Sequence, residues 1–297
     1  MALRIRNQRQ DFPGLSRRLA KDRLFKGGVF FLSMVTISPI VLIIYKLVSN
    51  GYRQINFDFF SKKAPDTYEA MVAVGAGEII PGGILNGITG TLFMVLIASV
   101  MAIPLGLLIG IFLYDQKTKR YAGLVRDLVD ILQGVPSIVL GLIAYFWVVK
   151  TITHGFSALA GSTALAIMML PLIIRSTEET LKMIPETIRE AGYALGVPYH
   201  KIILRVLIPS GFSGLATGIL LAISRVIGET APLMLTALGS MEVNLNIAKP
   251  TSAVPLLIWE FYNDPNMVDL IWSSSLFLMM IVLLLNLLSK QLIAKRT

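Results

Sequence analysis

Six long apolar stretches separated by polar connections leave this chain of 297 residues few ways to fold. They lie at 27–48, 87–113, 131–149, 156–175, 209–232 and 270–292. A helix of about 20 mostly apolar residues crosses the hydrocarbon of a bilayer with its backbone hydrogen bonds closed internally, and few other structures can. The spacing predicts an all-α integral membrane protein of six transmembrane helices. The fourth stretch is rich in Gly, Ala, Ser and Thr, residues that suit close helix–helix contact better than exposure to lipid.

Composition agrees. Hydrophobic residues make up 55% and charged residues 15%, well below the quarter or so that keeps a soluble surface wet. Cysteine is absent, which removes disulfides, thiol chemistry and cysteine-ligated metal. The two histidines, His154 and His200, have no ligand spacing and read as isolated loop residues, so no metal site is expected. Residues 1–26 hold eight Arg or Lys. The apolar run that follows has the length of a full span and no small-residue cleavage site, so it reads as a retained first helix rather than a signal peptide.

The net charge of +9 is explained by topology. Twenty Arg and Lys fall in the tail, the connections 114–128 and 175–205 and the C-terminus, against six in the alternate connections. Positive charge marks the cytoplasmic side, so both termini are expected there. The domain reading is a cytoplasmic basic tail over 1–26, then one transmembrane domain over 27–297. That domain carries a cytoplasmic loop at 176–208 and external segments at 49–86 and 233–269. The apolar patch 254–261 reads as a short interfacial or re-entrant helix.

The cytoplasmic loop contains Glu190-Ala191-Gly192-Tyr193-Ala194-Leu195-Gly196-Val197-Pro198 and continues to Val206-Leu207-Ile208-Pro209. Ile188, Ala191 and Leu195 repeat at helical intervals. Gly196 permits a tight or left-handed turn, and Pro198 suits the first turn of a second helix. On periodicity alone this is either a docking knob for a soluble partner or an ordinary interfacial loop. The segment resembles the coupling-loop signature of ABC importer permeases. Glu190, Ala191, Gly196, Val206, Ile208 and Pro209 occupy its positions, and Gly192 stands where a second Ala is usual. In that family the loop inserts into a cleft of a cytoplasmic ATPase. No phosphate-binding loop of the G-x-x-x-x-G-K-[ST] form occurs here. The chain is therefore expected to be no enzyme and to bind no cofactor, with ATP and Mg handled by a separate partner.

A charged pair, Arg225 and Glu229, lies inside the fifth span in Arg225-Val226-Ile227-Gly228-Glu229-Thr230-Ala231-Pro232. At four residues apart both would share a helix face and can pair. Charge at this depth faces a bundle interior or an aqueous path. An arginine fork also fits an oxyanion. Structural ion pair, snorkelling side chain and substrate ligand all remain open on the residues alone. Gly228 would allow close packing, and Pro232 should end or bend the helix. Earlier, Gly134 and Pro136 predict an irregular entrance to the third span, with Ser137 a candidate lining residue. Asp130 reads as a helix cap. Thr91 and Ser273 to Ser275 are possible pore-lining groups, though hydroxyls in spans commonly bond locally.

The Arg-x-x-Gly-Glu-Thr segment and Gly134-Val135-Pro136-Ser137-Ile138-Val139 resemble the phosphate permease pair of the Pst system, over roughly 85–295. The resemblance implies a type I ABC importer permease fold in a bacterial or archaeal plasma membrane. It also implies a PstC-like permease as heterodimer partner, two copies of a PstB-like ATPase and a PstS-like phosphate-binding protein. On it, Glu190 to Pro198 and Pro209 would couple to the ATPase, while Arg225, Glu229 and Ser137 would lie on the substrate pathway. Three other readings stand beside it: a permease for another oxyanion, a secondary transporter or channel, and a scaffold or sensor that moves no solute.

Overall fold

The computed structural model describes residues 15–116 and 119–294. The chain separates into two compact units, Met1–Ser49 and Asn50–Thr297. The first is carried by α1 (Leu15–Gly51), an apolar helix that tolerates Pro39 within it. The second begins with the short helices α2 (Phe57–Ser61) and α3 (Thr67–Ala76). Then come the long α4 (Leu85–Asp115), α5 (Arg120–Gly134) and α6 (Ser137–Ala144), which ends in a π-turn over Tyr145–Val149. After α7 (Ala158–Lys182) lie the short α8 (Glu186–Ala194), α9 (Tyr199–Ile202) and α10 (Ile208–Ser210), the last two joined by a π-turn over Ile203–Leu207. The unit closes with α11 (Phe212–Ile227), α12 (Ala231–Met234), α13 (Val254–Tyr262) and α14 (Val268–Ala294).

Four of the expected spans are unbroken helices, and two are bent pairs. The expected third span divides at Val135-Pro136. Proline forces its predecessor into extended backbone, and Val135 adopts φ −69°, ψ 131°, so α5 and α6 meet at 104°. Residues 131–134 therefore belong to the amphipathic α5 and not to the crossing segment. The fifth span starts after a 74° bend at Gly211 and stops at Ile227, short of the expected 232.

α7 is the hub of the second unit. Its most apolar window is 72% buried, against 33% for α4 and 22% for the α14 span, which accounts for its small residues. α4 lies along it with Ala98, Ala102, Gly106 and Gly110 buried, and a methyl group at Gly106 would press on Ile173. Such close approach is how helices associate where lipid gives no hydrophobic drive. α11 packs its buried side, including Leu215, Gly218, Ala222 and Val226, into the bundle. Towards α14 it is tied by Thr217 Oγ1 donating to Ser289 O (3.3 Å) and by the Ser224–Asn286 side-chain bond (3.3 Å).

The long connections on one side gather into a cap of their own. Phe59, Ile84, Val254, Leu257, Phe261 and Leu270 form one apolar cluster. Asn86 links the segments, accepting from Ala64 N and donating to Ser240 O (2.8 Å). The patch 254–261 is a short helix, as expected, but it is packed inside this cap. Thr91 is not a lining group: it is buried and accepts the Val254 N–H (2.9 Å), capping α13. Ser273 likewise is fully buried and donates to Gly51 O (2.7 Å). The same segment completes α7. The N–H groups of Ser157, Ala158 and Leu159 donate to the carbonyls of Thr236, Lys249 and Ile247 (2.9–3.0 Å), satisfying donors that a helix start leaves open.

Two outcomes follow. A methyl group at Gly90 would overlap the Ser252 carbonyl oxygen, which is backbone and cannot swing aside. Gly90→Ala should therefore cost about 1–3 kcal/mol of overpacking, seen as a lower thermal midpoint in detergent. Glu260, on α13, sits against Gly239 with no ion-pair partner among the described residues, and burial pushes its pKa up. The folded state then holds the proton more tightly than the unfolded chain, so this group's stability is full below the ordinary 4.5 and falls as pH rises. Glu260→Gln should raise the thermal midpoint at neutral pH and leave it unchanged in acid.

Candidate functional site: coupling module and charged span

The end of the bundle opposite that cap carries the motif-bearing loop. α7 continues through Lys182, so the module proper starts at Met183. α8 ends in a left-handed turn at Gly196 (φ 70°). There the Val197 N–H reaches Gly192 O (3.1 Å) and the Gly196 N–H reaches Tyr193 O (2.9 Å), the double bond pattern of a Schellman cap. Pro198 is the N-cap of α9 rather than its first residue. Gly192 faces Ile202, whose Cδ1 would lie 2.9 Å from an added methyl. This is the contact between the two short helices.

The second half of the module is anchored and the first is not. Ile202, Ile203 and Leu207 are buried with Tyr114 of α4 and Leu181 of α7. α8 buries none of its side chains. Glu190 and Ala191 are exposed, and Leu195 at the tip is 82% exposed. The result is a helix held out from the bundle with its motif residues free to be covered, and its base fixed by an apolar anchor.

Beside the module, α5 docks on α7 through charges of alternating sign. Arg126 Nε donates to Glu178 Oε1 (2.8 Å), Arg126 Nη2 to Leu113 O (2.8 Å), and Lys182 Nζ pairs with the same carboxylate (2.7 Å). Arg175 pairs with Asp130 one step along. Asp130 is thus an ion-pair partner within α5 and not a cap. Arg126, Arg175 and Lys182 stand in the sequence only as topology charges. Their signal was the spacing Arg126–Asp130 and Arg175–Glu178–Lys182 on helices that are otherwise largely apolar.

On α11, Leu221, Arg225 and Gly228 fall on one exposed stripe. The helix ends at Ile227, with Gly228 as its cap at φ −91°. Glu229 is therefore off the helix. The two charges do not share a helical face, and no ion pair joins them among the described residues. Among the described residues the nearest atom to a methyl added at Gly228 is Arg225 O at 4.0 Å, so the expected close packing is not made there. Pro232 is not what ends the helix, which has already stopped at Ile227; it lies in the first turn of α12, where it is buried against Gly141 of α6. Leu140, Ile227 and Leu233 share one core. That contact draws the segment bearing Gly134, Pro136 and Ser137 together with the one bearing Arg225 and Glu229. Ser137 is half-buried in the first turn of α6, and Gly134 ends α5 in open space. The arrangement offers a guanidinium on an exposed face of a span, beside a helix break and without an ion-pair partner among the described residues.

The family model described as "Binding-protein-dependent transport system inner membrane component" matches residues 102–294. The chain is 36% identical over 260 residues to the phosphate transport system permease protein PstA of Yersinia pestis, covering 86% of this chain and 84% of that protein. It is 39% identical over 245 residues to PstA of Xylella fastidiosa (strain 9a5c), covering 81% of each. Against PstA 1 of Mycobacterium tuberculosis (strain CDC 1551 / Oshkosh) it is 34% identical, covering 93% of this chain and 91% of that protein. Among solved structures, a chain of the MetNI methionine ABC transporter aligns with TM-score 0.59 and 21% identity, over 71% of this chain and 94% of that one. That likeness establishes the type I importer permease fold.

The module makes a contrast that can be measured. Gly196→Val forces a branched side chain into left-handed backbone and should cost about 1–2 kcal/mol. Gly192→Ala needs only the end of Ile202 to turn and should be nearly neutral. Thermal melts in detergent should follow that order.

Proposed function

We propose, from the family to which this chain belongs, the binding-protein-dependent transport system inner membrane components, that it is a pore-forming permease subunit of an ATP-driven importer of inorganic phosphate. The observation that carries the substrate is Arg225: a guanidinium on an exposed stripe of a span, with no carboxylate paired to it among the described residues. A cation in that setting is costly unless it faces water, a partner or an anion. Its planar fork matches phosphate oxygens. The likeness to the PstA proteins supports the same substrate.

The working assembly is this chain with a PstC-like permease, two copies of a PstB-like ATPase that use ATP and Mg, and a PstS-like phosphate-binding protein. It lies in the plasma (inner) membrane with the basic ends inside. The domain reading carries over: a basic tail at 1–26 and one translocating domain after it. Phosphate would arrive on the side of the cap formed by 49–86 and 233–269. Closure of the ATPase dimer would move α8, with Glu190, Ala191, Gly192, Gly196, Val197 and Pro198 in or beside the partner cleft and Pro209 at the root. The bend at Gly211 would pass that motion into α11, the helix that bears Arg225. Glu229 and Ser137 would line the same path. The attraction to Arg225 must stay transient, because a conduit that binds tightly does not release.

ATP-driven uptake of radiolabelled phosphate into proteoliposomes containing the full complex tests the reading. Uptake should resist sulfate and molybdate. Arg225→Ala should lower it by about tenfold or more, the worth of one charged hydrogen bond, with ATP hydrolysis retained. An intact, ATP-hydrolysing complex that takes up no phosphate would overturn the substrate assignment and leave the permease role standing.

A further inference from the structure

α8 is the element on which coupling depends in the reading above, yet it buries no side chain of its own. Something other than apolar packing must set its position against the spans. Its link to α9 is the Gly192–Ile202 contact and the Schellman turn. Arg189 links it to the end of a span. That side chain is 21% exposed, the lowest exposure among the ion-pairing groups it meets. The guanidinium carbon stands 5.9 Å from the centroid of the Tyr114 ring. Nη1 is 3.9 Å from Asp115 Oδ1, and Nη2 is 3.2 Å from Glu186 Oε1. Nε is buried and has no acceptor among the described residues. Tyr114 and Asp115 are the last two residues of α4, and Asp115 also faces the Tyr199 phenol of α9.

The guanidinium is thus shared between two carboxylates, one on its own helix and one on the end of a span. The bond to Glu186 is made, whereas the one to Asp115 stands at the outer edge of an ion pair. Arginine–carboxylate bonds close at about 2.7–2.9 Å and favour two parallel contacts. A buried donor without an acceptor costs about 1–3 kcal/mol. A shift of α8 towards α4 of about 1 Å, within the small translations of helices that accompany switching, would bring a second donor and Nη1 onto Asp115.

We propose that Arg189 is a positioning residue, a latch between the coupling helix and the end of α4, whose guanidinium passes from Glu186 to Asp115 as the ATPase drives α8 inward. The tight state transmits the push to α4, and so to α7 packed along it. Without the latch, α8 moves on its turn at Gly196 and the spans do not follow. This rests on the permease reading; it goes beyond that reading in naming the residue that converts a docked helix into a lever.

The test uses the complete complex in proteoliposomes, with Arg189→Ala, Arg189→Lys, Asp115→Asn and the double variant Arg189→Ala/Asp115→Asn. The quantity read is phosphate taken up per ATP hydrolysed. Arg189→Ala and Asp115→Asn should each lower that ratio by about tenfold, the ordinary size of a coupling between sites, while hydrolysis changes less than about twofold. Arg189→Lys keeps the charge without the fork and should fall between. The double variant should be no worse than either single, because both remove one interaction. An unchanged ratio in both singles, or losses that multiply in the double, would overturn the latch. Should Arg189→Ala fail to assemble, Asp115→Asn and Arg189→Lys decide alone. Hydrogen exchange over 186–194 in the same complexes needs no solute. Protection that rises with nucleotide in the wild type and not in the variants supports the latch even if the wild type carries no phosphate. Equal protection in all of them sinks it even where phosphate uptake is robust.

Discussion

Everything in the second unit is arranged around the close approach of α4 and α7. Lipid offers these helices no hydrophobic reward for meeting, so the contact must come from backbones brought near enough for dispersion to accumulate. Gly106 and Gly110 allow that nearness, with Ile173 and Thr177 filling the space where side chains would be. Because α7 is the most buried span, α5, α6, α11 and α12 can each use it as a shared wall. The charges Arg175, Glu178 and Lys182 then sit at one end of that wall and hold α5, while the other end is closed by backbone carbonyls from 236–249.

A rigid wall makes the breaks around it meaningful. Pro136 turns the chain by 104°, Gly211 lies at a turn of 74°, and Gly228 stops α11 beside Arg225. In each case continuous helix gives way at a residue that either lacks a donor or lacks a side chain. The candidate groups lie beside helix ends: α8 follows the end of α7, and Arg225 sits in the last turn before α11 stops.

Much of this was readable from residues alone. Apolar length located the four unbroken spans and the two bent pairs, and glycine and proline placed the turn between α8 and α9. The small residues of the fourth stretch forecast its central position. Three things were not readable. The end of α11 depends on Gly228 acting as a cap, and four-residue spacing cannot reveal that a helix stops between two charges. Thr91 and Ser273 look like lining groups until their partners, Val254 N and Gly51 O, are seen to come from distant sequence. The ion pairs of Arg126 and Arg175 required knowing that α5 folds back on α7, a consequence of Pro136 that composition does not express. Gly196 was legible because the turn it makes is local geometry, which short sequence determines.

The carbonyls that close the start of α7 come from residues made much later. A chain is synthesised from its N-terminus, so the fourth crossing leaves the ribosome while Ile247 and Lys249 do not yet exist. It is also the least apolar of the unbroken spans. Its first turn must therefore wait, with three amide groups turned towards water or headgroups, until the segment before α13 arrives to receive them. Assembly of this membrane unit is accordingly a matter of order as well as of stability: its central helix is made before the residues that finish it.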